Sequence, residues 1–221
     1  MADLFNKTLI SRILSGFFLL LIFIFSLFYS KFLFSLLVVG VGFGMIVEWD
    51  RLTGRSIFDK ATGFALIALS TLAIIIARFS YYGEYMLLWY GFVVATYDSF
   101  AYFGGKAIGG KKLAPKISPQ KTWAGLFCGL SGSMIASWLI LAYVPQFFLT
   151  SLKSFDYGSA LPALIIGILA QAGDLFESFF KRKYKVKDSG NIIPGHGGLL
   201  DRFDSNLLAS FALLLIIFWT K

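Results

Sequence analysis

Seven apolar runs, separated by polar or glycine-containing connections, dominate the chain: residues 13–29, 32–47, 61–77, 85–103, 123–144, 160–180 and 207–220. A bilayer core takes about 20 helical residues, with about 17 as the lower end. The second and last runs are therefore short for spans. An open sheet would leave its edge amides unpaired in lipid, so the runs are expected to be helices. The pattern predicts an all-α, polytopic membrane bundle of about seven transmembrane helices, one domain over residues 1–221. No internal repeat or low-complexity segment interrupts it.

Composition agrees with that pattern. Hydrophobic residues make up 57% of the chain and charged residues only 14%, against about a quarter charged in soluble domains. The single cysteine, Cys128, excludes an intrachain disulfide and lies in an apolar run, where packing is its expected role. The leading segment "ADLFNKTLISR" precedes an apolar run without a small-x-small cleavage site, so that run is expected to be a retained span.

The net charge of +8 reads as topology rather than as nucleic-acid binding. With the N-terminus in the cytoplasm and sides alternating, 16 of the 20 lysines and arginines fall on the cytoplasmic side. The bias supports seven spans with the C-terminus outside.

Carboxylates change the picture most, because an acidic residue in a span costs about 2.5–3.5 kcal/mol and usually marks function. Asp98 lies late in the fourth run, Asp174 and Glu177 late in the sixth, and Asp201 and Asp204 just before the seventh. The alternating topology brings all of them to the cytoplasmic side. The pairs Asp174/Glu177 and Asp201/Asp204 are each three residues apart and share a face if helical. Such oxygens suit a hard cation such as Mg²⁺, which keeps positions open for phosphate. The plainer alternative is a set of interfacial carboxylates neutralised by nearby Lys and Arg.

Opposite charge comes from two connections, 104–122 and 181–204. Lys106, Lys111, Lys112, Lys116 and Lys121 accompany "GGKAIGGKK" and "PKISPQKT". Glycines let backbone amides approach phosphate oxygens and lysines neutralise them; a merely topogenic basic loop is the competing reading. Residues 105–112 read GKAIGGKK, one residue short of a P-loop, with Lys112 where Ser or Thr belongs and no preceding strand. That excludes a P-loop NTPase. In "PGHGG", the only histidine, His196, is flanked by glycines that favour close approach to a ligand. Without His or Cys partners it suits substrate contact better than metal ligation. These features point to phosphate chemistry on a lipid, or to transport of a phosphorylated or charged solute. A transporter spreads ionisable residues across membrane depth; here they gather at one side, which favours an interfacial enzyme.

The segment "SFFKRKYKVKDSGNIIPGHGGLLDRFDS" and the preceding "QAGDLFES" resemble the signature of the phosphatidate cytidylyltransferases, the CDP-diacylglycerol synthases. "DSFAYFGGKAIGGKKLAPKISPQKTWAG" is similar to a second block of that family. The resemblance covers residues 98–125 and 171–205. It departs at Ala124, where members often carry Glu, and the N-terminal half carries no family motif.

The resemblance implies an Mg²⁺-dependent enzyme, with a second cation an option, making CDP-diacylglycerol and pyrophosphate from CTP and phosphatidic acid. It implies metal ligation by Asp174 and Asp201, then by Asp204 and Asp98. Phosphate contacts fall to Lys187, Arg202 and Lys121, with Asp188 in the catalytic set. Ser118, Ser178 and His196 would orient oxygens, and Lys111, Lys181, Arg182, Gly197 and Gly198 would bind substrate. A homodimer in a bacterial-type inner membrane, with its site facing the cytoplasm, is implied as well. An enzyme for an isoprenoid or ether lipid, keeping the cytidylyl transfer, is the nearest rival.

Overall fold

The computed structural model describes residues 16–18, 20–81, 83–143, 160–190 and 197–219. His196, the segment "ADLFNKTLISR" and run-end residues 13–15, 144 and 220 lie outside the described residues. The chain is mainly helical. An apolar helix α1 over Gly16–Tyr29 leads to α2 (Lys31–Thr53), α3 (Ile57–Phe79) and α4 (Gly83–Ile108). A two-stranded antiparallel hairpin follows, β1 (Lys112–Ala114) with β2 (Ser118–Thr122). Then come α5 (Trp123–Tyr143), α6 (Ala160–Lys183) and three pieces at the C-terminus: α7 (Leu200–Phe203), α8 (Asn206–Ala209) and α9 (Phe211–Trp219).

Helix α2, α3, α6 and the Trp123–Ile140 part of α5 are long and apolar enough to cross a membrane. Gly16–Tyr29 and Asn206–Trp219 are apolar but shorter. Helix α4 has 26 residues, about 39 Å at 1.5 Å per residue, more than the ~30 Å hydrocarbon core.

Several elements outrun the apolar runs that announced them. The second run, short in sequence, sits in a 23-residue helix that continues through Glu48, Trp49 and Asp50 to Thr53. Ser30 caps its start, accepting from the Leu33 N–H, and Gly54 ends it at φ 57°, a left-handed turn that favours glycine. Helix α4 takes in Gly104, Gly105 and Lys106, which the sequence placed in a loop. The hairpin after it is a small exception to the all-α expectation. Its order, helix then glycine turn then strand, is the reverse of a P-loop.

Packing forms two clusters. One fills the bundle interior with Phe34, Tyr90, Val93, Tyr97, Ile166 and Leu213. The other gathers Met45, Trp49, Ile67, Phe180, Leu200 and Leu207 from α2, α3, α6, α7 and α8. Trp49 stacks on Phe176 and donates its indole N–H to the Asp59 carbonyl at 2.8 Å. A side chain at Gly63 would collide with that indole, so the glycine sets the α2–α3 approach. Cys128 lies against Gly104 in the α4–α5 seam and is plain packing there. Large apolar residues such as Phe43, Phe103, Phe127 and Trp138 remain exposed on the outside, as lipid contact requires.

Candidate active site

Helix direction decides what meets. The C-terminal ends of α2, α4 and α6 lie together with the N-terminal ends of α3, α5 and α8. Asp59 at the start of α3 accepts from Lys183 (2.5 Å) and Tyr184 at the end of α6. Lys121, just before α5, pairs with Asp174 on α6. Ser205, just before α8, approaches Asp98 on α4, Oγ to Oδ1 at 3.4 Å. Of the described carboxylates, Glu84 alone sits at the far end, paired with Arg78 at 2.9 Å.

A cavity of about 640 Å³ opens at the common end. Asp98, Asp174 and Asp204 line it, and so do Lys106, Lys112 and Lys121. Helix α4 contributes Tyr97, Asp98, Tyr102 and Lys106; the hairpin contributes Lys112, Ser118 and Lys121. Gly109 and Gly110, at φ 67° and 87°, turn the chain sharply out of α4 so that the hairpin folds back over the site. Close approach of α4 and α5 needs small residues: a side chain at Gly125 would meet the Ala101 carbonyl and one at Gly129 the Tyr97 ring.

The expected site residues divide into groups. Asp98, Ser118, Lys121, Asp174 and Asp204 share the cavity wall. Ser178 backs it, donating to Asp174 Oδ1 at 3.3 Å. Asp201 does not line the cavity. It accepts from the Ser189 and Gly198 N–H groups, each at 3.0 Å to Oδ2, and from Lys181 Nζ at 2.9 Å. Asp201 and Asp204 therefore serve different partners despite their spacing. Lys181 also pairs with the fully buried Glu177 at 2.5 Å. Arg182 donates to the Ile117 carbonyl at 3.2 Å, tying α6 to the hairpin. Lys111, Lys187, Asp188 and Arg202 are exposed at this end and outside the cavity wall, and Gly197 turns at φ 86°.

Electrostatics follow from these surroundings. Burial pushes the Asp204 carboxyl upward, and the charge of Asp174 adds to the effect. For Asp201 burial acts in the same direction, but Lys181 and the N–H groups of Gly198 and Ser189 outweigh it and hold the carboxyl below its usual range.

Metal fit can be judged on donor chemistry. The wall offers three carboxylates and no soft ligand, which suits a hard divalent cation. Among the described residues no three acidic groups close into a ready-made cage.

Two residues escaped the sequence reading. Glu48 on α2 is buried and accepts from the Leu199 and Leu200 N–H groups at 3.0 and 2.8 Å. Its place next to Trp49 at the end of an apolar run gave it the look of a flanking charge. Gln171 lies on the cavity wall and accepts from Tyr97 Oη at 2.9 Å; only its position in "QAGDLFES" hinted at a role.

Comparison with known proteins fits this geometry. The profile of the cytidylyltransferase family matches residues 60–220. A protein of Rickettsia conorii named phosphatidate cytidylyltransferase is 39% identical over 210 residues, covering 93% of this chain and 89% of its own. Its namesake in Rickettsia bellii is 39% identical over 216 residues, 96% of this chain and 91% of its own. A third, from Brucella abortus, is 36% identical over 179 residues, 80% of this chain and 62% of its own.

Proposed function

The chain belongs to the cytidylyltransferase family, and on that premise we propose that it transfers the cytidylyl group of CTP to phosphatidic acid. The products are CDP-diacylglycerol and pyrophosphate. One observation carries the reading: a single cavity at one end of a membrane bundle is lined by Asp98, Asp174 and Asp204 together with Lys106, Lys112 and Lys121. It offers cation-binding oxygens and phosphate-binding ammonium groups on the same wall.

The reaction needs no nucleophile from the protein. A phosphate oxygen of phosphatidic acid bonds to the α-phosphorus of CTP. The bond from that phosphorus to the β-phosphate bridging oxygen breaks, and its electron pair leaves with pyrophosphate. Catalysis is then orientation and charge neutralisation. Lys106, Lys112 and Lys121 neutralise the triphosphate and the lipid phosphate, while Ser118 and Gln171 orient oxygens. Ser178 and Lys121 hold Asp174 in place.

Mg²⁺, when bound, would supply positive charge shared by the two phosphate groups. Asp174, Asp201 and Asp204 are the proposed ligand set, with Asp98 beside them. Asp174 and Asp204 line the cavity directly, whereas Asp201 joins only where Lys181 gives up its Oδ1 contact.

Seven spans, a cytoplasmic site, an inner-membrane location and a homodimer belong to the same proposal. The gathering of Arg51, Arg55, Lys60, Lys116, Lys121 and Lys181–Lys183 at the cavity end supports a cytoplasmic site. With the cavity at a bundle end, the acyl chains stay in lipid, sparing about 0.8 kcal/mol per methylene.

Purified protein incubated with labelled CTP, phosphatidic acid and Mg²⁺ tests the reading. Lipid-extractable label is the expected result. No label beside an active control enzyme would overturn it.

A further inference from the structure

The described ends of the signature loop, residues 189–190 and 197–200, form its neck and are pinned by two carboxylates from different parts of the chain. Asp201 holds the Ser189 and Gly198 N–H groups from within the loop's own helix α7. Glu48 holds the same neck from outside. It comes from α2, takes Leu199 N–H on Oε1 (3.0 Å) and Leu200 N–H on Oε2 (2.8 Å), and lies 3.3 Å from Ser189 Oγ. It is 1% exposed, so water does not compete for these bonds.

The loop sequence is fitted to this carboxylate. A side chain at Gly190 would run into the Glu48 carboxylate, and one at Gly198 would meet both Ser189 Oγ and Glu48. On the α2 side, a side chain at Gly44 would meet Leu199. The missing side chains at Gly190 and Gly198 leave room for the carboxylate. A buried carboxylate whose partners are two N–H groups and a hydroxyl costs desolvation that packing alone would not favour. Here its bonds to Leu199 and Leu200 fix one arrangement of the loop end on α2.

That arrangement leads to the cavity. Leu199 and Leu200 start α7, which carries Asp201, and the turn after it delivers Asp204 and Ser205 to the cavity wall. Ser205 Oγ then meets Asp98 on α4. We propose that Glu48 is a positioning residue for the transfer reaction: by clamping both sides of the loop neck it fixes α7 so that Asp201 and Asp204 keep their places. It lies before the 60–220 stretch matched by the family profile, in the half of the chain that carries no signature. The inference rests on the cytidylyltransferase reading.

The test is Glu48→Gln in full-length protein, assayed well below its melting temperature. The amide keeps the shape but turns an NH₂ toward a backbone N–H. Expected is a fall in kcat per folded molecule of about 10- to 100-fold, as misplaced groups cost, with KM for CTP and phosphatidic acid within about threefold of wild type. Hydrogen exchange should speed up at Leu199 and Leu200 and stay unchanged in α4 and α5. Glu84→Gln, which breaks the ion pair at the far end, should lower stability and leave kcat unchanged.

Wild-type kcat in folded Glu48→Gln, or unchanged exchange at Leu199 and Leu200, overturns the proposal. If Glu48→Gln fails to accumulate, Ser189→Ala removes the hydroxyl contact alone, and the same readouts at smaller amplitude are expected; wild-type kcat and exchange there overturn it equally. Loss of the family reaction in the wild type would instead sink the cytidylyltransferase reading, and the exchange measurement would still judge the clamp.

Discussion

Lys121 at the end of β2 and Asp174 on α6 form an ion pair across the cavity wall, joining the hairpin to the helix that carries the "GDLFES" segment. Both side chains keep about a quarter of their surface exposed, at 21% and 26%. A surface pair of that kind adds little stability. Its value lies in placing a phosphate-binding cation beside a cation-binding carboxylate.

Lys121→Ala is expected to raise the KM for CTP about tenfold, since a charge-assisted contact is worth about 1.5–3 kcal/mol. The melting temperature should move little. Initial-rate kinetics over a CTP series checks this, and an unchanged CTP dependence would place Lys121 away from the nucleotide.

Asp174→Asn should lower kcat by about 100-fold or more, the scale of losing one preorganised electrostatic group. In the wild type, chelation of divalent ions should abolish turnover and added Mg²⁺ should restore it. Full activity in excess chelator would remove the cation from the mechanism.

Asp201→Asn should lose turnover and also stability, because the carboxylate anchors the loop neck. Its pKa is depressed in the folded protein, so the stabilisation is present above the ordinary carboxylate pKa. It disappears as pH falls through the lower folded value. The melting-temperature gap between wild type and Asp201→Asn should be flat from pH 8 to about 5 and narrow below about pH 4. A gap that opens or closes between pH 6 and 8 would point to another group.

Topology can be read by labelling in a Cys128→Ser background. With the cavity end in the cytoplasm, Lys116→Cys on the hairpin turn should resist a membrane-impermeant maleimide in intact cells. Tyr81→Cys, at the opposite end and 77% exposed, should react. The reverse pattern would invert the orientation.

Legibility differed by element. Runs 123–144 and 160–180 gave α5 and α6 nearly as they stand, because continuous apolar sequence has no alternative to a helix in lipid. Run 207–220 reads as one helix, and its described part is the apolar helix Asn206–Trp219 with a turn at Ser210; the short α7 and the turn at Asp204–Ser205 before it had no signal in the pattern. In the site, Asp98, Asp174 and Asp204 were found from charge out of place in apolar surroundings. Glu48 carried the same signal, but sitting at a run's edge it looked like an ordinary flanking charge.

The sequence by itself determined that this is a helical membrane protein with acidic and basic groups gathered at one end, and it carried the family signature. Those features depend on local hydrophobicity and spacing, which one dimension records. Only the tertiary structure decided that Asp204 faces the cavity while Asp201 holds the loop, that Lys121 pairs with Asp174, and that Glu48 reaches Leu199 and Leu200 from 151 and 152 residues away. Such contacts depend on how α2, α6 and α7 cross, and on glycines whose missing side chains leave room for a carboxylate.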